Sequence, residues 1–191
     1  MIRFDKGTHS YSIDGQCVPS VTQILKWLYP NKYAGVPEAV LNQAAEFGNR
    51  MHEWIEAYAT DGVKKRQTDY MKLSTSQVVE LICNHQFRAE SCEQMIHWDT
   101  RYCGTYDMYG KMEDEPALVD IKCTERLDTE YLEWQLGMYK LALESDGKPV
   151  NKCYCLWVPK CSLAKFVEIK PKLADEIDWL VFRYEQEHYS D

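Results

Sequence analysis

An apolar run of about eighteen residues, the least that spans a bilayer as a helix, is missing from this chain, so no membrane span is predicted. Positive charge is also short. Lys and Arg number 22 against 30 Asp and Glu, a formal net charge of −8, and the pI is near 5.2. That balance argues against a broadly basic nucleic-acid surface and leaves phosphate contact to local patches, or to metal ions that bridge acidic side chains to phosphate. The opening Met1-Ile2-Arg3-Phe4-Asp5 shows no secretory signal pattern. Without one, 8 cysteines read as reduced thiols and not as a disulfide scaffold, so the expected setting is a reducing cytoplasm. At 191 residues and 45% hydrophobic content, the chain suits one full core, and a single domain over residues 1–191 is expected.

The densest chemistry lies between Gly104 and Tyr139. Tyr102 to Lys111 and Ala117 to Cys123 are β-branched and aromatic runs, and Glu113-Asp114-Glu115-Pro116 between them reads as a hairpin loop. Asp107 and Asp120 are thereby set to face each other across two strands. Alternation along a strand sends Asp120 and Lys122 to one face and Val119 and Ile121 to the other. Two carboxylates with an ammonium beside them suit phosphodiester hydrolysis. The acids hold Mg²⁺ or Mn²⁺ through oxygen, and the lysine orients or helps deprotonate the attacking water.

Asp107, then Asp120-Ile121-Lys122, then Gln135-Leu136-Gly137-Met138-Tyr139 resembles the motif series of the PD-(D/E)XK nucleases, in their RecB-like exonuclease branch. Gly48-Asn49-Arg50-Met51-His52 matches that branch's earlier Gly-x-x-x-His, so the likeness covers roughly residues 48–139. The opening from His9-x-Tyr11 to Pro19-Ser20-Val21-Thr22 is similar to phage and bacterial members. The resemblance implies a restriction-endonuclease-like α/β fold, with a mixed central β-sheet flanked by helices. It implies a metal-dependent DNase with His52, Asp107, Asp120 and the Ile121 carbonyl as ligands and Lys122 activating water. Gln135 and Tyr139 become site residues that touch the strand or orient the metal shell. DNA is the implied partner, with a protein of DNA processing beside it, in a bacterial or phage-infected cell. Imidazole beside carboxylates suits Mn²⁺ at least as well as Mg²⁺.

Residues 2–4 and 9–13 read as small strands, and Ser20-x-x-Gln23 as a capping box for a helix whose face is Val21, Ile24, Leu25 and Leu28. A helix from about Pro37 to Tyr58 is expected, interrupted or closely approached at Gly48, with Leu41, Ala44, Met51, Ile55 and Tyr58 as one buried stripe. Gly48, His52 and Glu56 share a face of it. By residue type alone, His52 reads as a hydrogen-bonded, partly buried histidine, and Glu53 and Glu56 are weaker ligand candidates. Lys64-Lys65-Arg66 is the densest basic run, a solvated loop or a contact to phosphate. A helix from Ser74, capped by Ser74-x-x-Gln77 and carrying Val78, Leu81, Ile82 and His85, reads as scaffold.

Glu93 to Trp98 reads as the strand entering the sheet. The resemblance makes Glu93 a candidate for the shell behind the metal ligands, and Gly104 makes room for a close approach of backbone and substrate. Glu130 to Glu144 is a helix with Tyr131, Gln135 and Tyr139 on one stripe, which taken alone is a packing face. Lys152 to Pro159 and Ala164 to Ile169 are two more strands, and Pro171 opens a last helix with Leu173, Ile177, Leu180, Val181 and Tyr184 turned inward. Some RecB-like nucleases carry an iron–sulfur cluster, and Cys153, Cys155 and Cys161 raise that question. No such cluster is expected, because Cys-x-x-Cys spacing is absent and Cys17 is the lone N-terminal cysteine. The rival to a nuclease is a nucleic-acid or protein-binding module that keeps the fold with little or no catalysis.

Overall fold

The computed structural model describes residues 2–5, 7, 10–63 and 65–189. His9 and Lys64, both singled out above, lie outside the described residues. The architecture is α/β, with a three-stranded sheet and a five-stranded mixed sheet flanked by helices. No helix among the described residues is long and apolar enough to cross a membrane.

The small sheet joins β1 (Ile2–Asp5), β2 (Ser10–Ile13) and β3 (Gln16–Val18) in antiparallel order. α1 (Val21–Leu28) follows with the expected capping box: Gln23 N donates to Ser20 Oγ and Ser20 N donates to Gln23 Oε1. α2 (Glu38–Asp61) runs unbroken through Gly48. A Cβ on Gly48 would meet only the Cys123 Cβ, at 4.0 Å, so neither an interruption nor a close approach is present there. The buried residues of α2 are Phe47, Met51, Trp54 and Ile55; of the expected stripe, Leu41 and Tyr58 are half-buried and Ala44 is exposed. α3 (Lys72–Asn84) begins two residues before Ser74. The supposed cap therefore lies inside it, with Gln77 Oε1 accepting from Ala164 N instead and His85 falling just past the end.

The large sheet has the order β4-β5-β6-β7-β8, formed by β4 (Arg88–Trp98), β5 (Tyr102–Met112), β6 (Glu115–Lys122), β7 (Lys152–Trp157) and β8 (Lys165–Glu168). β5 and β6 are joined by Glu113 and Asp114 alone, at φ 52° and 68°. Positive φ at both central residues is the tight hairpin turn that matches strand twist, so Glu115 and Pro116 belong to the strand and not to the loop. β6 and β7 are parallel, a pairing that needs a crossover, and α4 (Thr129–Ser145) supplies it. α5 (Ala174–Tyr189) closes the chain, with Ile177, Leu180, Val181 and Tyr184 buried. Leu173 precedes it and is exposed; its N–H donates to Glu176 Oε2, which acts as a cap.

Period-2 alternation divides β6 between two cores. Leu118 joins the layer formed with α1, α4 and α5, while Ala117, Val119 and Ile121 join the layer formed with α2 and α3.

Candidate metal and phosphodiester site

β5 and β6 pair from Met112↔Glu115 to Met108↔Val119 and then part. Beyond that point the outer end of β5 is taken up by the chain entering α1, through Cys103 N donating to Pro19 O at 3.0 Å and a bridge from Ser20 to Cys103. Asp107 and Asp120 are the first residues past the last pair, one on each arm of the fork. Ile121 N donates to Asp107 Oδ2 at 2.6 Å, across the gap that strand pairing leaves. In an extended strand a residue's carbonyl points to the same side as its N–H, so the Ile121 carbonyl also faces the fork.

His52 reaches the fork from α2. Its Nδ1 lies 3.8 Å from Asp107 Oδ2 and 3.9 Å from Glu56 Oε1, the latter one helical turn onward. Glu93 completes the cluster from β4. One ligand atom each of His52, Glu93 and Asp107 lie within 4.8 Å of one another, the one such group among the described residues. Asp120 stands beside this trio and not in it: the carboxylate is 2% exposed and its Oδ2 lies 2.5 Å from Lys122 Nζ. That contact is an ion pair without hydrogen-bond alignment, for both Asp120 oxygens are buried and lack a hydrogen-bond partner.

Glu93 carries the most weight among residues undervalued by sequence. Cys92 pairs with Met108 and Gln94 with Tyr106, so Glu93 stands opposite Asp107, yet this is the one pair that the ladder omits. Its φ of 50° is left-handed, a conformation that costs a non-glycine residue on the order of 1 kcal/mol. Such backbone chemistry is not readable from one glutamate in a strand.

The electrostatics of the cluster suit a divalent cation. Burial, then repulsion by Glu56, push Glu93 up to about 7, with His52 pulling the other way. Glu93 keeps an exposed residue surface, so water screens part of that push. Burial raises Glu56 as well. Asp120 rises to about 6 through burial and the Asp107 charge, against the pull of Lys122. For Lys122 burial disfavours charge, but Asp120 and Asp107 outweigh it and hold the ammonium protonated. A crowd of carboxylates and an imidazole are a donor set that a hard or borderline divalent ion satisfies.

The remaining expected site residues sit deeper. Tyr139 is 4% exposed in the core, and its hydroxyl receives only a long 3.5 Å contact from Gln135 Nε2. Gln135 Oε1 is buried without a partner. A Cβ on Gly104 would lie 2.6 Å from Tyr139 Cε1, so this glycine makes room for the tyrosine ring and not for substrate. Cys153 and Cys155 are buried in β7, whereas Cys17 and Cys161 are exposed. Lys122 also lines a groove of about 680 Å³ between the first half of α2 and the segment from Lys122 to Asp128.

No family model matches the chain, and no curated protein matches it. One solved structure, titled "Crystal structure of SSO0001", aligns over 92% of this chain and 76% of its own, at 14% sequence identity and a TM-score of 0.49. A likeness at that level says nothing of what this chain does.

Proposed function

We propose that this chain is a divalent-metal-dependent DNase of the PD-(D/E)XK superfamily, in its RecB-like exonuclease branch. One observation carries the reading: the fork of β5 and β6 gathers His52, Glu93 and Asp107 around one point, with the Asp120–Lys122 pair beside it. The order of the motifs along the chain supports the same reading.

His52, Glu93 and Asp107 would hold Mg²⁺ or Mn²⁺, with Asp120 and the Ile121 carbonyl beside them. Such an ion, when bound, would polarise a phosphodiester and make a bound water more acidic. Asp107 is kept aimed by the Ile121 N–H, so its second oxygen stays free to bind. Lys122 enters as an ammonium and not as a ready base. It is placed to orient the attacking water and to offset charge that builds on the phosphate oxygens. Gln135 and Tyr139 support the shell from behind, because one is half-buried and the other buried. A binding module would gain little from crowding His52, Glu93 and Asp107 around one point, where the mutual repulsion of the acids costs free energy unless a cation offsets it.

The test joins calorimetry and cleavage. Mn²⁺ should bind the wild type, and Asp107→Ala should weaken that binding at least tenfold. Lys122→Ala should keep or improve metal affinity while single-turnover DNA cleavage falls about a hundredfold. Unchanged metal binding in Asp107→Ala, or wild-type cleavage in Lys122→Ala, sinks the proposal and favours the binding-module rival.

A further inference from the structure

Lys65 and Arg66, from the densest basic run of the sequence, take no part in the fork. α2 ends at Gly62, whose φ of 67° turns the chain back on itself. The returning segment runs beside the helix, and Trp54 Nε1 donates to Lys65 O at 3.1 Å. Trp54 is 2% exposed and stacks on Tyr58 with ring centroids 5.5 Å apart, so the anchor is firm. It draws Lys65 back roughly 10 Å along the helix axis from the end of α2. One turn nearer the helix start, Arg50 Nη1 donates to the Tyr70 hydroxyl at 3.3 Å and holds the segment a second time.

Helix and returning segment enclose a pocket of about 340 Å³, and Arg50, Glu53, Lys65, Arg66 and Thr68 line it. Lys65 and Arg66 are exposed, and neither forms an ion pair with a described residue. Arg50 is held by Glu46 at 2.7 Å, and Glu53 is the acid of the lining. Thr68 adds a hydroxyl. It stands just before a 3-10 turn at Asp69–Met71, where a threonine ordinarily caps a backbone N–H, yet it caps nothing. Its Oγ1 is buried without a hydrogen-bond partner among the described residues. Rotation about Cα–Cβ can present that hydroxyl to a ligand in the pocket, which would supply the bond it lacks. Two unpaired cations, a third cation on the facing wall and an unused hydroxyl suit a tetrahedral oxyanion, which accepts from several directions at once. The guanidinium can give it two parallel hydrogen bonds, and the ammonium a point charge.

We infer that this pocket is an anion site that binds a phosphate group. His52 lies about 200° round the helix from Arg50, so the site is on a different side of α2 from the fork and is not the place of a scissile phosphate. The phosphate belongs to a nucleic-acid strand or to a free nucleotide; the recognising chemistry is the same. No residue of the fork enters the argument, so it stands apart from the nuclease reading.

The probes are inorganic phosphate, thymidine monophosphate and a short abasic phosphodiester chain, with acetate as the control, each titrated into the metal-free protein in EDTA at constant ionic strength. Amide NMR signals of residues 65–68 should move and saturate with phosphate and stay in place with acetate. Replacing both cations, Lys65→Ala with Arg66→Ala, should weaken binding at least about tenfold, and Thr68→Val about threefold. The Trp54 bond is to the backbone of Lys65 and survives these changes, so melting temperatures should stay within a few degrees. Saturation by the abasic chain at lower concentration than by either small phosphate identifies a strand as the source; equal or tighter binding of the small phosphates identifies a free one. Acetate that matches phosphate, no saturable shift with any phosphate, or wild-type affinity in either variant overturns the inference. With no metal present and nothing cut, such a failure leaves the nuclease reading intact, and loss of that reading leaves the pocket intact.

Discussion

α2 and α4 are the two long helices that bring candidate residues to the same sheet, and each departs from its sequence pattern in the opposite direction. On α4 the polar-tipped stripe Tyr131, Gln135 and Tyr139 looks like a surface that faces substrate, yet Tyr139 is core and Gln135 half-buried. On α2 the apolar residues Leu41 and Ala44 look like core, yet they line an open groove. The difference is what lies opposite. α4 is the crossover between two adjacent parallel strands, and its inward side packs against β4, α1, α5 and β6. α2 outruns the sheet at its first half, so the same kind of residue meets solvent.

The largest effect that tests this contrast is Tyr139→Ala. Removing a buried aromatic ring that fills the space left by Gly104 should cost about 3–5 kcal/mol and lower the melting temperature by roughly 10 °C. A thermal melt showing less than about 2 °C of change would place Tyr139 on a loose face after all.

A smaller effect is expected from pH. Asp120, ordinarily near 3.8, is raised to about 6 in the folded protein, and Glu93 to about 7. Raised carboxyl values mean that these two groups hold protons more tightly in the native state than in the unfolded chain, so their contribution to metal-free stability is fully present at low pH and is lost as pH climbs through about 4 to 7. The loss from buried Asp120 is on the order of 3 kcal/mol, or roughly 6–9 °C in melting temperature. Saturating Mn²⁺ should flatten or reverse that slope, because the ion favours the ionised acids. If Asp120→Asn leaves the slope of metal-free melting temperature against pH unchanged across this range, Asp120 is not the buried, raised carboxyl described here.

Least affected should be Ala44→Ser, at a position that periodicity assigns to the core. It faces the groove, so the change should stay within about 0.5 kcal/mol. A loss near 2 kcal/mol in urea titration would mean that the groove closes in solution.

Much of the scaffold was legible because it is written locally. Ser20 and Gln23 state a capping box, and alternation along Ala117 to Lys122 placed Asp120 and Lys122 on one face, where they form an ion pair. Asp107 was set opposite Asp120 by the two strands, whereas His52 entered through the motif resemblance and not through its own spacing. What was not legible depends on partners remote in sequence. Glu93 enters the cluster through a left-handed backbone and an omitted ladder pair, and Asp120 turns towards Lys122 and away from the trio. Gly104 looked like room for substrate because its occupant, Tyr139, lies 35 residues further along the chain. The Ser74 cap failed because the helix begins earlier, at Lys72.

The two-residue turn at Glu113 and Asp114 also orders events in time. A hairpin closed by so short a loop forms in about 1–10 μs, whereas the parallel β6–β7 pair must wait for the 17-residue α4 between them to be laid down. β5 and β6 therefore carry Asp107 and Asp120 to the same end of a hairpin while water still surrounds both. Their mutual repulsion is screened at that moment and grows only when β7 and α4 dock and exclude solvent. The cost of assembling this site falls on the last stage of folding, with the nucleating turn left free of it.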